Sequence, residues 1–352
     1  LYFTNGQTFS SSAAINEETP VIKHPGLDLM RTKYGAAMIL DWMNEAKSLT
    51  ALVVGEKITD EYEYVKVRGR SAKEPILSYE PMKTESYDGG IAIIGKNLAE
   101  ACADSRLFGP IEPIVKHRYV EQTFGTKLFS IVKEQKETEK WIASSLPYGD
   151  NEPIDFIVVA DFGHNAFRFQ HDIYKFCKLC QCGNSYSVGL KRFLALTVQT
   201  NSLNWGYNTL NKWREADYVV CDEEELRLAC GNRDWDGEDM RWWMIHEHRR
   251  LQCPQSTKPQ TRYFALTRGH QGCIITDGVE FFELPALATK IVDRMGAGDA
   301  FLAWSAPLAK LEAPMEIVAF VGSVAAAIKV GKMGNQVVTK REMDRWIRSI
   351  LA

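Results

Sequence analysis

Short unbroken apolar runs, each bounded by turn residues, recur along the chain. "LTALVVG" from residue 49, "DFIVVADFG", "FLALTVQT", "ADYVVCD" and "YFALTRG" all have this form. A continuous apolar run of that length fits a strand buried on both faces of a parallel sheet. Helical spacing of apolar residues marks residues 95–103, 138–145, 300–310 and 314–329, the last two closing the chain. A second pattern, alternation with period two, marks "EYEYVKVRG" and "EPILSYEP", and residues 114–120 also read as extended. One polar face per strand describes exposed antiparallel strands, here a small β-lid around residues 62–88. "GCIITDG" and "VEFFELP" read as a hairpin. Strands alternating with helices predict an α/β class protein, a three-layer α/β/α sandwich with a mostly parallel sheet. Ligands of such sheets bind beyond the carboxyl ends of the strands.

Length and composition narrow the class. At 352 residues the chain holds one large domain with an appendage, or two modest domains. Hydrophobic residues make up 45% and charged residues 25%, the balance of a globular protein. A formal net charge of −3 gives no argument for nucleic acid or an acidic membrane surface as a partner. No apolar run approaches the ~20 residues of a membrane span, so a cytoplasmic enzyme is the expectation. Of the eight cysteines, Cys102, Cys221, Cys230, Cys253 and Cys273 are scattered singly, as buried free thiols are. Cys177, Cys180 and Cys182, with His171 nearby, read either as metal ligands or as a redox-sensitive helix end.

The chemistry concentrates in "DRMGAGDAF", where an extended stretch turns into an apolar helix. The first N–H groups of a helix lack intrahelical partners and sit at the positive end of its dipole, which suits an anion. Gly296, Ala297 and Gly298 let a phosphate-sized group approach the backbone. Asp299 would repel that anion unless it has another task, and taking the proton of an attacking hydroxyl is such a task. A plain tight turn with a capping carboxylate is the competing reading.

Asp293, the glycine loop, Asp299 and the small-residue helix together resemble DxxGAGDxF, the second signature of the ribokinase/PfkB carbohydrate kinases. The likeness runs from about Val53 to Val338 and is nearest the heptose-phosphate kinases. It implies a ribokinase-like fold, ATP and Mg2+ as cofactors, a monovalent cation near Asp293, and transfer of the γ-phosphoryl group to a sugar hydroxyl with Asp299 as base. "GEKITDEYEYV" resembles the first-strand motif, giving Asp60 to the sugar hydroxyls, with Glu56 in place of the usual first Asp. "DGGIAIIGKN" resembles GGxxxNxAxN, giving Gly89, Gly90 and Asn97 to the sugar, although Ile93 stands where an Asn is usual. Lys116 and Arg118 of "VKHRYV" match a strand that contacts an anionic substrate group; a solvated strand face is the alternative. "ADFGHN" resembles the DYGxG loop, implying Asp161 and His164 as substrate contacts, His164 being otherwise a surface-loop histidine. In "DYVVCDEEEL", Asp222 and Glu225 take the places of a pair that organises Mg2+; such a run of acids is otherwise a solvated helix start. "LTRGHQG" places Thr267, Gly269 and Gly272 near ATP, and "GKMGNQ" gives Gly334 and Asn335 to the adenine pocket. Gln199, Asn201 and Asn204 in "TVQTNSLNWGYN" either face the site or form a polar loop.

The opening "LYFTNGQTFSSSAAIN" resembles the closing segment of nucleotidyltransferase domains, so residues 1–48 read as the remnant and connecting helix of such a domain and 49–352 as the kinase. A flexible terminus before an amphipathic helix over residues 27–46 is the alternative. The sequence therefore predicts a kinase for a small-molecule sugar or sugar phosphate, with no nucleic acid or membrane partner, and a homodimer paired through its lid. A nucleoside or small-alcohol kinase and a catalytically weak regulatory relative are the rival readings.

Overall fold

The structure, a computed structural model, describes residues 23–110, 112–133, 153–164, 193–235, 237–252 and 262–352. The expected helix at 138–145, the thiols Cys177, Cys180 and Cys182 with His171, and the opening segment through residue 22 lie outside the described residues.

An eight-stranded sheet has the order β12-β11-β10-β9-β8-β7-β1-β4. Its strands are β1 (Thr50–Gly55), β4 (Asp104–Phe108), β7 (Phe156–Asp161), β8 (Phe193–Val198), β9 (Tyr218–Asp222), β10 (Tyr263–Thr267), β11 (Cys273–Thr276) and β12 (Phe281–Leu284). From β4 to β10 the strands run parallel, and the hairpin β11–β12 closes one edge antiparallel. The apolar runs behave as their pattern demands. Ala51 and Val53 of β1 face one core while Leu52 and Val54 face another on the opposite side of the sheet. Burial on both faces at every position is what makes a continuous apolar strand stable.

Helices cover the two faces: α1 (Gly35–Glu45), α2 (Ile91–Ala101), α3 (Glu223–Cys230), α4 (Gly237–Arg250), α5 (Ala297–Lys310), α6 (Met315–Val330) and α7 (Lys340–Leu351). Three helices close the chain, not two. The third, α7, is announced by Thr339 and Glu342, whose side chains satisfy each other's backbone N–H in a capping box. Leu27, Met30, Ile39 and Leu40 enter the larger core, and Arg31 donates to the Ile350 carbonyl at 3.0 and 3.2 Å. Residues 25–48 thus pack into the sheet's own core.

The lid is a separate four-stranded sheet, order β3-β2-β5-β6, formed by β2 (Lys57–Arg70), β3 (Leu77–Gly90), β5 (Ile114–Glu121) and β6 (Lys127–Lys133). It extends beyond residues 62–88 because β5 pairs parallel with β2 and recruits β6. Tyr62, Tyr64 and Val120 form its buried inner cluster.

Candidate active site

The glycine loop lies where the last parallel strands and the lid converge. Gly296, the N-cap of α5, has φ 74°, and no side chain caps the helix. A Cβ at Gly296 would stand 2.2 Å from Asn335 Oδ1, whereas one at Gly298 would meet nothing within 4 Å. The left-handed turn is therefore at Gly296, and Gly298 keeps open the space in front of the helix. Both glycines and Ala297 line a cleft of about 740 Å3 that also holds Asp60, Lys116 and Asp299.

Asp299 is 6% exposed, and its Oδ1 accepts a hydrogen bond from Gln199 Nε2 at 3.0 Å. Burial, and then the negative charge of Asp60, push its carboxyl up to about 6. A buried carboxylate in that range is poised to take a proton near neutral pH. Asp60, also buried, accepts from Arg118 Nε at 3.1 Å and Nη2 at 2.8 Å, while its Oδ2 accepts from Asn335 Nδ2 at 3.0 Å. Burial lowers the Lys116 ammonium below its ordinary value. Lys116 and Arg118 therefore line the cleft on the inner face of β5 and are not a solvated strand face. Gly89 and Gly90 let β3 press on β2 and the residue before it, since a Cβ at Gly89 would lie 2.8 Å from Asp60 Oδ2 and one at Gly90 2.2 Å from the Glu56 carbonyl.

Asp293 ties the lid to the glycine loop. Its Oδ1 accepts from Lys127 Nζ of β6 at 2.6 Å and from Met295 N at 3.1 Å. Its Oδ2 accepts from Tyr62 of β2 at 2.9 Å and from Gly334 N at 3.1 Å. Burial alone would raise this carboxyl, but the bonds from Lys127, Met295 and Tyr62 and the Lys127 charge hold it below the usual carboxylate range. Both oxygens are taken by protein donors, one of them an ammonium, which does not fit a monovalent cation bound on this carboxylate.

The other end of the cleft is less polar. Thr267, Gly269 and Gly272 line it with Leu287, Ala326 and Val330. Asp222 and Glu225 reach the same wall from β9 and α3. They cap α3 reciprocally: Asp222 Oδ1 accepts from Glu225 N at 2.7 Å and Glu225 Oε2 from Asp222 N at 2.8 Å. Burial, then the Asp222 charge, raise the Glu225 carboxyl well above its ordinary value, a strain that a cation would relieve. Each residue keeps one oxygen outside the capping pair. That donor set suits Mg2+, which takes one or two carboxylates plus phosphate oxygens and waters.

Other expected site residues are placed elsewhere. Asn97 is buried behind β3, donating to the Ile93 carbonyl and accepting from Val338 N, each at 2.9 Å, so it anchors the last loop. Asp161 is consumed by Lys212 at 2.5 Å and Trp213 Nε1 at 2.9 Å. His164 is held through its backbone N–H by Glu56 Oε1 at 3.0 Å, and neither it nor Asp161 lines the cleft. Gly334 serves Asp293, and Asn335 lies at the Asp60 end rather than in an adenine pocket. Asn201 and Asn204 hold the 162–163 loop through its carbonyls. Tyr62, Lys127 and Lys329 were not legible as site residues from sequence. The one signal was Lys329 itself, a lysine inside the apolar run "AFVGSVAAAIKV".

A mostly parallel sheet with an antiparallel edge hairpin and a β-lid gives the chain a ribokinase-like fold, with a buried acid at a glycine-loop helix start. Solved structures agree on the fold. Phosphofructokinase-2 from Escherichia coli in complex with potassium aligns with TM-score 0.61 at 11% identity, covering 86% of this chain and 99% of that one. Ribokinase from Thermotoga maritima aligns with TM-score 0.55 at 14% identity, covering 85% and 99%. The bifunctional protein HldE of a Nitratiruptor species is 23% identical over 311 residues, which is 85% of this chain and 65% of that protein. The chain therefore spans less than two thirds of that relative's length. Residues 204–341, in the C-terminal part of the chain, match the pfkB family carbohydrate kinases.

Proposed function

We propose that this protein is an ATP-dependent kinase of a sugar or sugar phosphate. The observation that carries the reading is a single cleft in which buried Asp299 stands in the first turn of α5, beside an open glycine loop and Asp60. The acceptor hydroxyl is held by Asp60, oriented by Arg118 and Asn335. Asp299 Oδ2, the oxygen not engaged by Gln199, takes the hydroxyl proton as the acceptor oxygen bonds to the γ-phosphorus. The bond from that phosphorus to the bridging oxygen breaks in line, and ADP leaves. The N–H groups at the start of α5 meet the charge that develops on the transferred group. Asp222 and Glu225 would hold Mg2+, which supplies charge neutralisation across the phosphates.

Lys116, a cation in the cleft wall beside the Arg118–Asp60 pair, supports a phosphorylated acceptor, and the HldE likeness supports a heptose phosphate. The exposed lid residues Leu77, Phe129 and Ile131 support pairing with a second copy. The reading also puts the protein in the cytoplasm; among the described residues no helix is long and apolar enough to cross a membrane. ATP turnover with a panel of sugars and sugar phosphates tests the proposal: phosphorylated sugars should be preferred, and no turnover with any acceptor overturns it.

A further inference from the structure

Behind the glycine loop, away from the cleft, sits a charge the phosphoryl-transfer scheme has not used. Lys329, in the last turn of α6, is 0% exposed, and its Nζ has no hydrogen-bond partner among the described residues. Its Cε lies 3.5 Å from where a Cβ on Gly296 would stand, and Asn335 Oδ1, at 2.2 Å from that same point, is likewise buried and without a partner. The loop is fastened to this helix end, because the Val330 carbonyl accepts from the backbone N–H of Val292 at 2.7 Å and of Asp293 at 3.1 Å.

A desolvated ammonium with no hydrogen bond is costly to keep. Beside the positive start of α5 it is costlier still, since both repel it in the absence of an anion. Two things offset the cost: the carboxylates of Asp293 and Asp299, and any anion held at the loop. Lys127 and Lys332 oppose them, and burial brings the Lys329 ammonium down to about 8, which leaves it charged at neutral pH. Asp293, for its part, already has an ammonium on one oxygen and hydroxyl and amide donors on the other.

We propose that Lys329 is a tethered cation: a positioning residue that charges the glycine loop from behind, with Lys127 on Asp293, and makes a bound monovalent cation unnecessary. This rests on the phosphoryl-transfer reading but is tested apart from it. Lys329→Met keeps the volume and removes the charge, so it should fold at least as well as the parent chain.

The parent and Lys329→Met chains are compared in potassium, sodium and choline chloride at equal ionic strength, by melting temperature and by ATP turnover. The parent should be indifferent to the cation in both readouts. In choline, Lys329→Met should lose roughly ten- to a hundredfold in kcat with little change in the acceptor KM, the scale of one interaction with a charged group. Potassium should restore part of that loss and raise the melting temperature of the variant only. A parent chain activated or thermally stabilised by potassium, or a variant fully active in choline, overturns the proposal. If no acceptor is turned over, the kinase reading fails while the melting temperatures still decide this one.

Discussion

Gln199 at the end of β8 donates to the carboxylate of Asp299 at the start of α5, 3.0 Å away, so the strand end and the helix start share one hydrogen bond inside the cleft. The bond favours the ionised acid, while burial and Asp60 oppose it. A base whose carboxyl titrates at about 6 predicts an acid limb near that value in the pH profile of kcat/KM. Gln199→Leu removes the one neutral donor, so the limb should move to higher pH and turnover at pH 6 should fall more than at pH 8. A limb that stays in place would show that Gln199 does not touch the base.

Arg118 should prove structural and substrate-directed together. It places two nitrogens on the buried carboxylate of Asp60, and Arg118→Ala leaves that charge with Asn335 alone. Breaking such a pair from one side costs about 3–5 kcal/mol. Denaturant titration should show that loss, and Asp60→Asn in the same chain should recover much of it without restoring the raised acceptor KM. Additive losses in the double variant would contradict a coupled pair.

The two glycines of the loop should separate. Gly296→Ala forces a side chain into a left-handed residue against Asn335 and should destabilise the fold by more than ~1 kcal/mol. Gly298→Val has open space before it, so the melting temperature should hold while nucleotide affinity falls. Equal stability losses in both would mean that the loop is only a turn.

How much of this was legible follows from how each residue is used. The buried strands showed because burial on two faces leaves no choice but continuous apolar sequence, as in "FIVVAD". The edge strand β4, none of whose residues is fully buried, carries a mixed sequence that has no such signature. Asp60, Gly296 and Asp299 came through the family motif, since their chemistry fixes their spacing. Asn97 and Asp161 matched motif positions too, but whether a polar side chain turns to ligand or to its own backbone depends on contacts as distant as Val338 and Trp213. Lys127 and Lys329 could not be assigned because each acts through a loop far away in sequence.

The outer face of the lid should mediate pairing of two copies. Leu77, Phe129 and Ile131 are about half exposed at 58%, 47% and 47%, more apolar surface than a solvated sheet face needs. Sedimentation velocity at micromolar concentration should return a dimer that Phe129→Glu with Ile131→Glu converts to monomer. A parent chain that sediments as a monomer contradicts this.

The most direct test of phosphoryl transfer with Asp299 as base is the turnover of Asp299→Asn on an accepted sugar substrate at saturating ATP. Asn preserves the acceptor oxygen for Gln199 and the shape of the helix start, so a capping role predicts little change. The raised carboxyl gives the sign of the stability effect. Above its ordinary 3.8 and up to about 6 the native state binds the extra proton, so native stability falls as pH rises through that window. The Asn variant escapes that loss and should be at least as stable as the parent at pH 7.5. The account predicts a kcat lower by roughly 10²–10⁴-fold with nucleotide affinity intact. A variant that keeps more than about half of the parent's kcat, far above what loss of a general base allows, would contradict it.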